Sequence, residues 1–365
     1  MKKLKIGIIG TRGIPAKYGG FETFVQEVSP LLVKNGFDIT VYCDKSIQEN
    51  PEKEFNGVKL RYQHTTKTAH SLLFYLDGIL MALKENDIIL VTGTGGAFFY
   101  FLNLFFRKKI ITNTDGVESR RAKWSAIKKV LIKLSETLAI KYSNFLIADS
   151  KGIEKYIIEH YPKLNRNNLA VIEYGAYIET KINQDYIDKL GITNNEYYLV
   201  VSRLEPENNV HIILDGYQKS KTHKPFIIVG NVIENTYVKN LLKFKSSKIR
   251  FIGGVYNQEE LTSLRKASFA YIHGHSVGGT NPSLLEALGS SNICICHDNI
   301  FNREVTDNKQ LYFKNAIELK NRIEDLEAFS EESLLKLKKD AKLRIENYYT
   351  WQNIADKYSK LFAKI

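Results

Sequence analysis

The strongest constraint on the fold is a rhythm: short aliphatic and β-branched runs recur along the chain, and most segments between them carry apolar residues at helical spacing. Lys5–Ile9, Asp38–Cys43, Ile88–Thr92, Lys109–Asn113 and Phe145–Ala148 are runs of this kind and read as strands. Parallel neighbours need crossovers long enough to hold a helix, so the alternation specifies a parallel sheet wrapped by helices. A second series begins at Tyr197 with YYLVVSRL, PFIIVG, KIRFIGGV, FAYIHG and ICICHD. Residues 178–195 between the two series are polar, lack a strand pattern and end in GITNN, which predicts an interdomain linker. The expected division is a first domain over residues 1–180 and a second over 190–348. Trp351, Ile354, Ala355, Tyr358, Leu361 and Phe362 then recur at helical spacing and predict a terminal amphipathic helix.

A length of 365 residues suffices for two α/β domains, each with its own core. The formal charge of +12 points to an anionic partner. No nucleic-acid module is present and the aromatics are not interleaved with basic residues as stacking platforms, which leaves a phosphorylated substrate or a membrane surface and argues against nucleic acid. Cys43, Cys294 and Cys296 cannot form a disulfide framework, so a reducing cytoplasm is the expected compartment. Cys294 and Cys296 share one face of a strand and lack a second pair at ligand spacing, so they read as small buried side chains. MKKLKIGIIG has too short an apolar run for a signal peptide. Residues 88–106 carry no charge and approach the length of a membrane span, but Gly93, Gly95 and Gly96 interrupt them, which predicts strand, loop and apolar helix.

The first strand runs into Gly7, Gly10 and Gly13, then Pro15, Gly19 and Gly20. Glycines at a strand end let backbone amides approach a phosphate, and Asp44 closes the second strand where a ribose-binding acid would sit in a dinucleotide fold. Against a dinucleotide turn, Pro15 intervenes and the apolar helical register opens only at Phe21, so a longer glycine loop is expected, or glycines that merely serve a tight turn. In the second domain a strand ends in Ser202-Arg203, and a later one leads through His273 and His275 to Asn281-Pro282-Ser283. There the first turn of a helix is expected to present amides to an anion, with Glu286 one turn in, able to accept both hydroxyls of a ribose. Such a constellation describes a nucleoside diphosphate site. His273 and His275 lie on one strand face, each either a core histidine or a site residue.

Four blocks in order, TRGIPAKYGGFET, TDGVESRRAKW, SRLEPENN and HSVGGTNPSLLEALG, resemble the retaining GT-B glycosyltransferases of family four, and within them the bacterial rhamnosyltransferase-type proteins. The resemblance implies an α/β chain of two Rossmann-like domains with parallel sheets facing a cleft, and a helix over residues 349–365 returning to the first domain. It implies transfer of a sugar, dTDP-L-rhamnose being the donor that the subgroup suggests, with retention, onto a saccharide or lipid-diphosphate-linked acceptor in cell-surface polysaccharide synthesis. By the same resemblance Gly19, Gly20, Arg203, Gly279, Thr280, Asn281, Pro282, Ser283 and Glu286 bind the donor. Asp115, Glu118 and His275 are the catalytic candidates, and Phe21, Glu22, Arg120 and Arg121 face the acceptor.

Two departures stand out: Glu207-Asn208-Asn209 lies where many members carry lysine, and Gly278 stands where the general family has a second glutamate. His275 is the candidate to take over the missing acid's role. No Asp-x-Asp occurs, so neither a divalent metal nor another cofactor is expected. Rival readings are a non-catalytic nucleotide-sugar-binding partner of a glycan assembly complex and a dinucleotide-dependent oxidoreductase or epimerase. Arg120, Arg121 and Lys123, followed by Ile127, Lys128, Lys129, Val130, Leu131 and Lys133, form a basic amphipathic stretch. It is either a solvated helix face or a contact with an anionic membrane on its cytoplasmic side.

Overall fold

The structure, a computed structural model, describes residues 3–16, 19–46, 51–114 and 125–365. It divides into two compact units, one formed by Met1–Tyr174 with Trp351–Ile365, the other by Gly175–Thr350. The first opens with β1 (Lys5–Ile9), α1 (Gly20–Lys34), β2 (Asp38–Cys43), β3 (Glu54–Phe55), β4 (Val58–Tyr62), α2 (Ser71–Glu85) and β5 (Ile88–Thr92). After the 3-10 segment Ala97–Leu102 come α3 (Asn103–Phe106), β6 (Lys109–Asn113), α4 (Ala126–Tyr142), β7 (Phe145–Ala148), α5 (Lys151–His160) and β8 (Leu169–Val171). Among the described residues the strands make one sheet in the order β3-β4-β2-β1-β5-β6-β7-β8, parallel except for the β3–β4 hairpin. Ile6, Ile8 and Ile9 of β1 are buried, as a central strand covered on both faces requires.

The second unit contains α6 (Gln184–Lys189), β9 (Tyr198–Val201), α7 (Val210–Lys219), β10 (Phe226–Val229), α8 (Thr236–Leu242), β11 (Ile249–Gly253) and α9 (Gln258–Ala267). It continues with β12 (Ala270–His273), α10 (Pro282–Gly289), β13 (Ile293–His297), α11 (Ile300–Thr306), β14 (Leu311–Phe313), α12 (Ala316–Glu327) and α13 (Glu331–Arg344). Its sheet is wholly parallel, in the order β11-β10-β9-β12-β13-β14. The stretch expected to be a linker is structured: Asn183 caps α6 through the Tyr186 amide, and Ile187 and Ile192 are buried, so two apolar anchors hold a polar segment onto this unit.

The chain returns to the first unit as α14 (Trp351–Lys364). Its Tyr358 ring packs 5.3 Å from Phe24 and its hydroxyl accepts from Asn113 Nδ2 at 3.1 Å, while Phe362 meets Phe37 edge-on. Residues 88–106 form a buried strand and a loop, as expected, but a 3-10 segment and one short turn of α-helix replace the single apolar helix. Among the described residues no helix is long and apolar enough to cross a membrane.

Candidate functional site

In the second sheet the chain builds β9, β10 and β11 outward in one direction and then places β12 on the other side of β9. Loops leaving the carboxyl ends of two such strands must diverge, which opens a crevice where ligands bind in folds of this class. β9 and β12 pair only at Ala270↔Tyr198 and Tyr271↔Leu199 before they part. The residues that follow are Ser202 and Arg203 on one side and Gly274 to Asn281 on the other. The topology therefore brings Arg203, His275 and the start of α10 to one end of one sheet.

Both loops are laced together. Within the first loop Asn208, buried, donates from Nδ2 to the Arg203 carbonyl at 2.7 Å, and across to the second Asn209 Nδ2 donates to the Gly274 carbonyl at 2.9 Å. Ser276 donates to the Glu207 carbonyl from both its amide (3.0 Å) and its hydroxyl (2.8 Å). A Cβ on Gly274 would overlap the Asn208 carbonyl oxygen. The asparagines that stand in place of a lysine thus hold loop geometry. Arg203 itself is 45% exposed and meets Glu205 at 3.5 Å, a solvent-screened pair that leaves the guanidinium accessible.

Asn281 caps α10, with Oδ1 accepting from the Ser283 amide at 3.0 Å, and Pro282 occupies the first helical position. The Ser283 hydroxyl bonds both the Val201 carbonyl (3.1 Å) and Tyr271 (2.6 Å), pinning the helix start to the end of β9. The amides of Leu284 and Leu285 donate to the Asn281 carbonyl. The first turn therefore does not present free amides at these three positions, contrary to expectation, because the cap residue satisfies them. Gly279 and Thr280 lead into the cap, and Gly278 lies at φ 127 with open space where a side chain would project. That backbone conformation favours glycine over the glutamate of the general family.

Glu286 stands one turn into α10, its side chain 26% exposed, and Arg265 of α9 reaches it through Nη2 at 2.5 Å. The Arg265 side chain is only 2% exposed, and its Nε and Nη1 have no protein partner. A buried guanidinium behind a half-buried carboxylate fixes that carboxylate's position and leaves its exposed part to a ligand. Nothing in the sequence singled out Arg265; in SLRKA it resembles the basic end of any amphipathic helix.

His273 is fully buried, stacked on Tyr271 and, at 4.4 Å and 9°, on His275. Burial, and then the neighbouring His275 and His297, hold it well below the ordinary histidine range, so it is neutral and out of reach of a ligand. The His275 carbonyl accepts from Asn299 and Asn302. Cys294 and Cys296 are buried, and no metal-binding cluster occurs among the described residues.

In the first unit Gly10 and Gly13 have positive φ, and added Cβ atoms would overlap Thr92 and Cys43 respectively, so close packing selects these glycines. α1 begins at Gly20, well beyond the glycine turn. Asp44 accepts from the Ser46 amide and hydroxyl with Oδ1 (2.9 and 2.7 Å) and from the Lys67 amide with Oδ2 at 2.8 Å. Burial works to raise its pKa, but the amides of Lys67 and Ser46, the Ser46 hydroxyl and the Arg12 charge outweigh it and hold the carboxyl below its ordinary value. Both oxygens are thus committed to tying a loop, and the ribose-binding reading of Asp44 is overturned. Lys67 Nζ completes the tie at the Gly10 carbonyl, 2.7 Å away.

Gly19 has φ 119 and precedes a helix whose Glu22 accepts the Arg12 amide at 3.0 Å, closing the loop on itself. Phe21 packs edge-on against Tyr174. Asp115, Glu118, Arg120 and Arg121 lie outside the described residues.

Two family models divide the chain. Residues 3–177 match one described as a domain of unknown function (DUF1972), and residues 182–344 match Glycosyl transferases group 1. No curated protein matches the sequence. Among solved structures, a sucrose-phosphate synthase from Thermosynechococcus elongatus superposes with a TM-score of 0.85 at 14% identity, covering 99% of each chain. A glycosyltransferase from Rickettsia africae gives 0.77 at 16% identity, covering 100% of this chain and 99% of that one. HepE from Anabaena, solved with UDP and glucose, gives 0.78 at 15% identity, covering 99% of this chain and 100% of its own. The fold is that of the GT-B glycosyltransferases, and the part of the chain that matches the Glycosyl transferases group 1 model coincides with the second unit.

Proposed function

We propose that the chain transfers a sugar from a nucleoside diphosphate sugar to a hydroxyl of a saccharide acceptor. The observation that carries the reading is the constellation at the parting of β9 and β12: an accessible Arg203, the capped start of α10, and Glu286 held by buried Arg265. Glu286 accepts the ribose hydroxyls, the 279–283 segment lies along the diphosphate, and Arg203 neutralises the charge that develops as the anomeric carbon–oxygen bond breaks. A preorganised donor of this kind contributes about 3–4 kcal/mol to the transition state. His275 beside Gly278 is the catalytic candidate in this unit. Asp115 and Glu118 as catalytic groups, and Phe21, Glu22, Arg120 and Arg121 as acceptor contacts, complete the proposal from the sequence blocks that contain them.

The finer reading is retention of configuration without a divalent metal, with dTDP-L-rhamnose as donor and a lipid-diphosphate-linked saccharide as acceptor in cell-surface polysaccharide synthesis. Solved relatives carry UDP or UDP-glucose, so those donors belong in the same trial. The test is a panel of nucleotide sugars with a lipid-diphosphate-glucose acceptor, with and without chelator. Glu286→Ala should weaken donor binding about 100-fold through loss of two hydrogen bonds to a charged group. Donor affinity unchanged in that variant would remove Glu286 from the site, and a chelator-sensitive reaction restored by manganese would refute metal independence. Gly278, open where a glutamate stands in the general family, favours a second reading in which the protein binds the donor without turning it over. Tight donor binding with no product across the panel would select that one.

A further inference from the structure

The uncharged run at 88–106 is only partly consumed by the core. Its strand is buried, but Leu104 is 77% and Phe105 81% exposed. α4 packs against the 3-10 segment that precedes them, with Ser135 Oγ donating to the Thr94 carbonyl at 2.5 Å. The opening turns of α4 repeat the pattern: Ile127, Val130, Leu131 and Leu134, at spacings of three and four, are all exposed, while Ser135, Glu136, Ala139 and Ile140 further along are buried. Two elements of one unit, each in contact with the same 3-10 segment, thus turn large apolar side chains outward, an arrangement that a monomer in water rarely keeps without a use.

Charge identifies the occupant. Over residues 97–114 and 125–135 there is no aspartate or glutamate, while Arg107, Lys108, Lys109, Lys128 and Lys129 fall in the same stretches; Lys133 turns inward to pair with Glu136 at 2.9 Å. A second copy of this chain would bring the same positive charge against itself. An acidic lipid surface satisfies both halves of the pattern, since the apolar side chains enter the acyl boundary and the cations stay among the headgroups. We propose that α3 and the first half of α4 form a docking surface for an anionic membrane, with the protein lying on the bilayer.

The proposal is independent of whether the site described above transfers sugar, because its test needs no substrate. The full chain is sedimented with vesicles of phosphatidylcholine alone and of phosphatidylcholine mixed with phosphatidylglycerol in equal parts. Binding to the mixed vesicles, reduced roughly 10-fold or more by Phe105→Asp with Leu131→Asp, is expected, since each buried methylene counts toward partitioning. Lys128→Glu with Lys129→Glu should also weaken it and reduce its salt dependence. No binding to mixed vesicles, equal binding to both compositions, or a Phe105→Asp/Leu131→Asp variant that binds like the native chain would overturn the proposal. So would a dimer that this variant dissociates in the absence of vesicle binding. A label provides a second readout should the charged variants misfold. All three cysteines are buried, so Phe105→Cys offers a single accessible thiol for a polarity-sensitive fluorophore. Its emission should shift to the blue on mixed vesicles, whereas the same label at Ile317→Cys on α12 should not; identical behaviour at the two positions would again overturn it.

Discussion

Arg265 combines features that seldom coexist: it is buried, it reaches a carboxylate of the candidate site, and two of its nitrogens have no protein partner. Each unsatisfied buried donor costs about 1–3 kcal/mol, which offsets much of what the ion pair contributes. Arg265→Met should therefore leave the thermal midpoint within a few degrees of the native value. The same change frees Glu286, and donor affinity should fall about 10-fold, equivalent to about 1.4 kcal/mol. Calorimetric titration and a melting curve on one preparation separate the two; a large loss of stability with unchanged affinity would make Arg265 a purely structural residue. The contrast between the partners explains what could be read from the chain. Glu286 sits in NPSLLEALG, where helix entry, proline and an apolar surround mark it out. Arg265 lies in an ordinary charged helix end, and only the tertiary packing of α9 on α10 buries it. Asp44 errs the other way: its position after β2 suggests a ribose, but Ser46 and Lys67, visible only in three dimensions, occupy it.

At the level of elements, the two loops at the parting of β9 and β12 behave as one body because Asn209 and Glu207 of one bond Gly274 and Ser276 of the other. Gly274→Ala drives a methyl group into the Asn208 carbonyl, so the loops must separate. A stability loss of about 2 kcal/mol, in the range for overpacking, is expected together with weaker donor binding. Urea unfolding beside a binding assay checks this, and a variant with native behaviour in both would show that the loops move independently. Strands such as Lys5–Ile9 and Ile88–Thr92 are legible from sequence because fully buried parallel strands are continuous apolar runs. α6 escaped notice because a six-residue helix held by one cap and one buried isoleucine has too little periodicity to stand out from a polar segment. The short β14, Leu311–Phe313, is legible only once β13 supplies its partner.

For the molecule as a whole, the return of α14 means that the first unit is built from two separated pieces of sequence, while the second is one continuous piece. A chain ending at Thr350 lacks Tyr358 and Phe362 over Phe24 and Phe37, and lacks the Lys357 partner of Glu173. Hydrogen exchange should then lose protection in β1 and β2 while β9, β10 and β12 keep theirs. Unchanged protection in β1 would mean that the first sheet is self-sufficient. The placement of α14 also sets an order of manufacture. Phe24 and Phe37 precede the second unit in the chain, yet the helix that covers them emerges only after the whole of Gly175–Thr350. At about 5–20 residues per second that interval lasts roughly 10–35 s. The first unit is therefore completed only after the second has been made, and for that time a nascent apolar groove is open to chaperones.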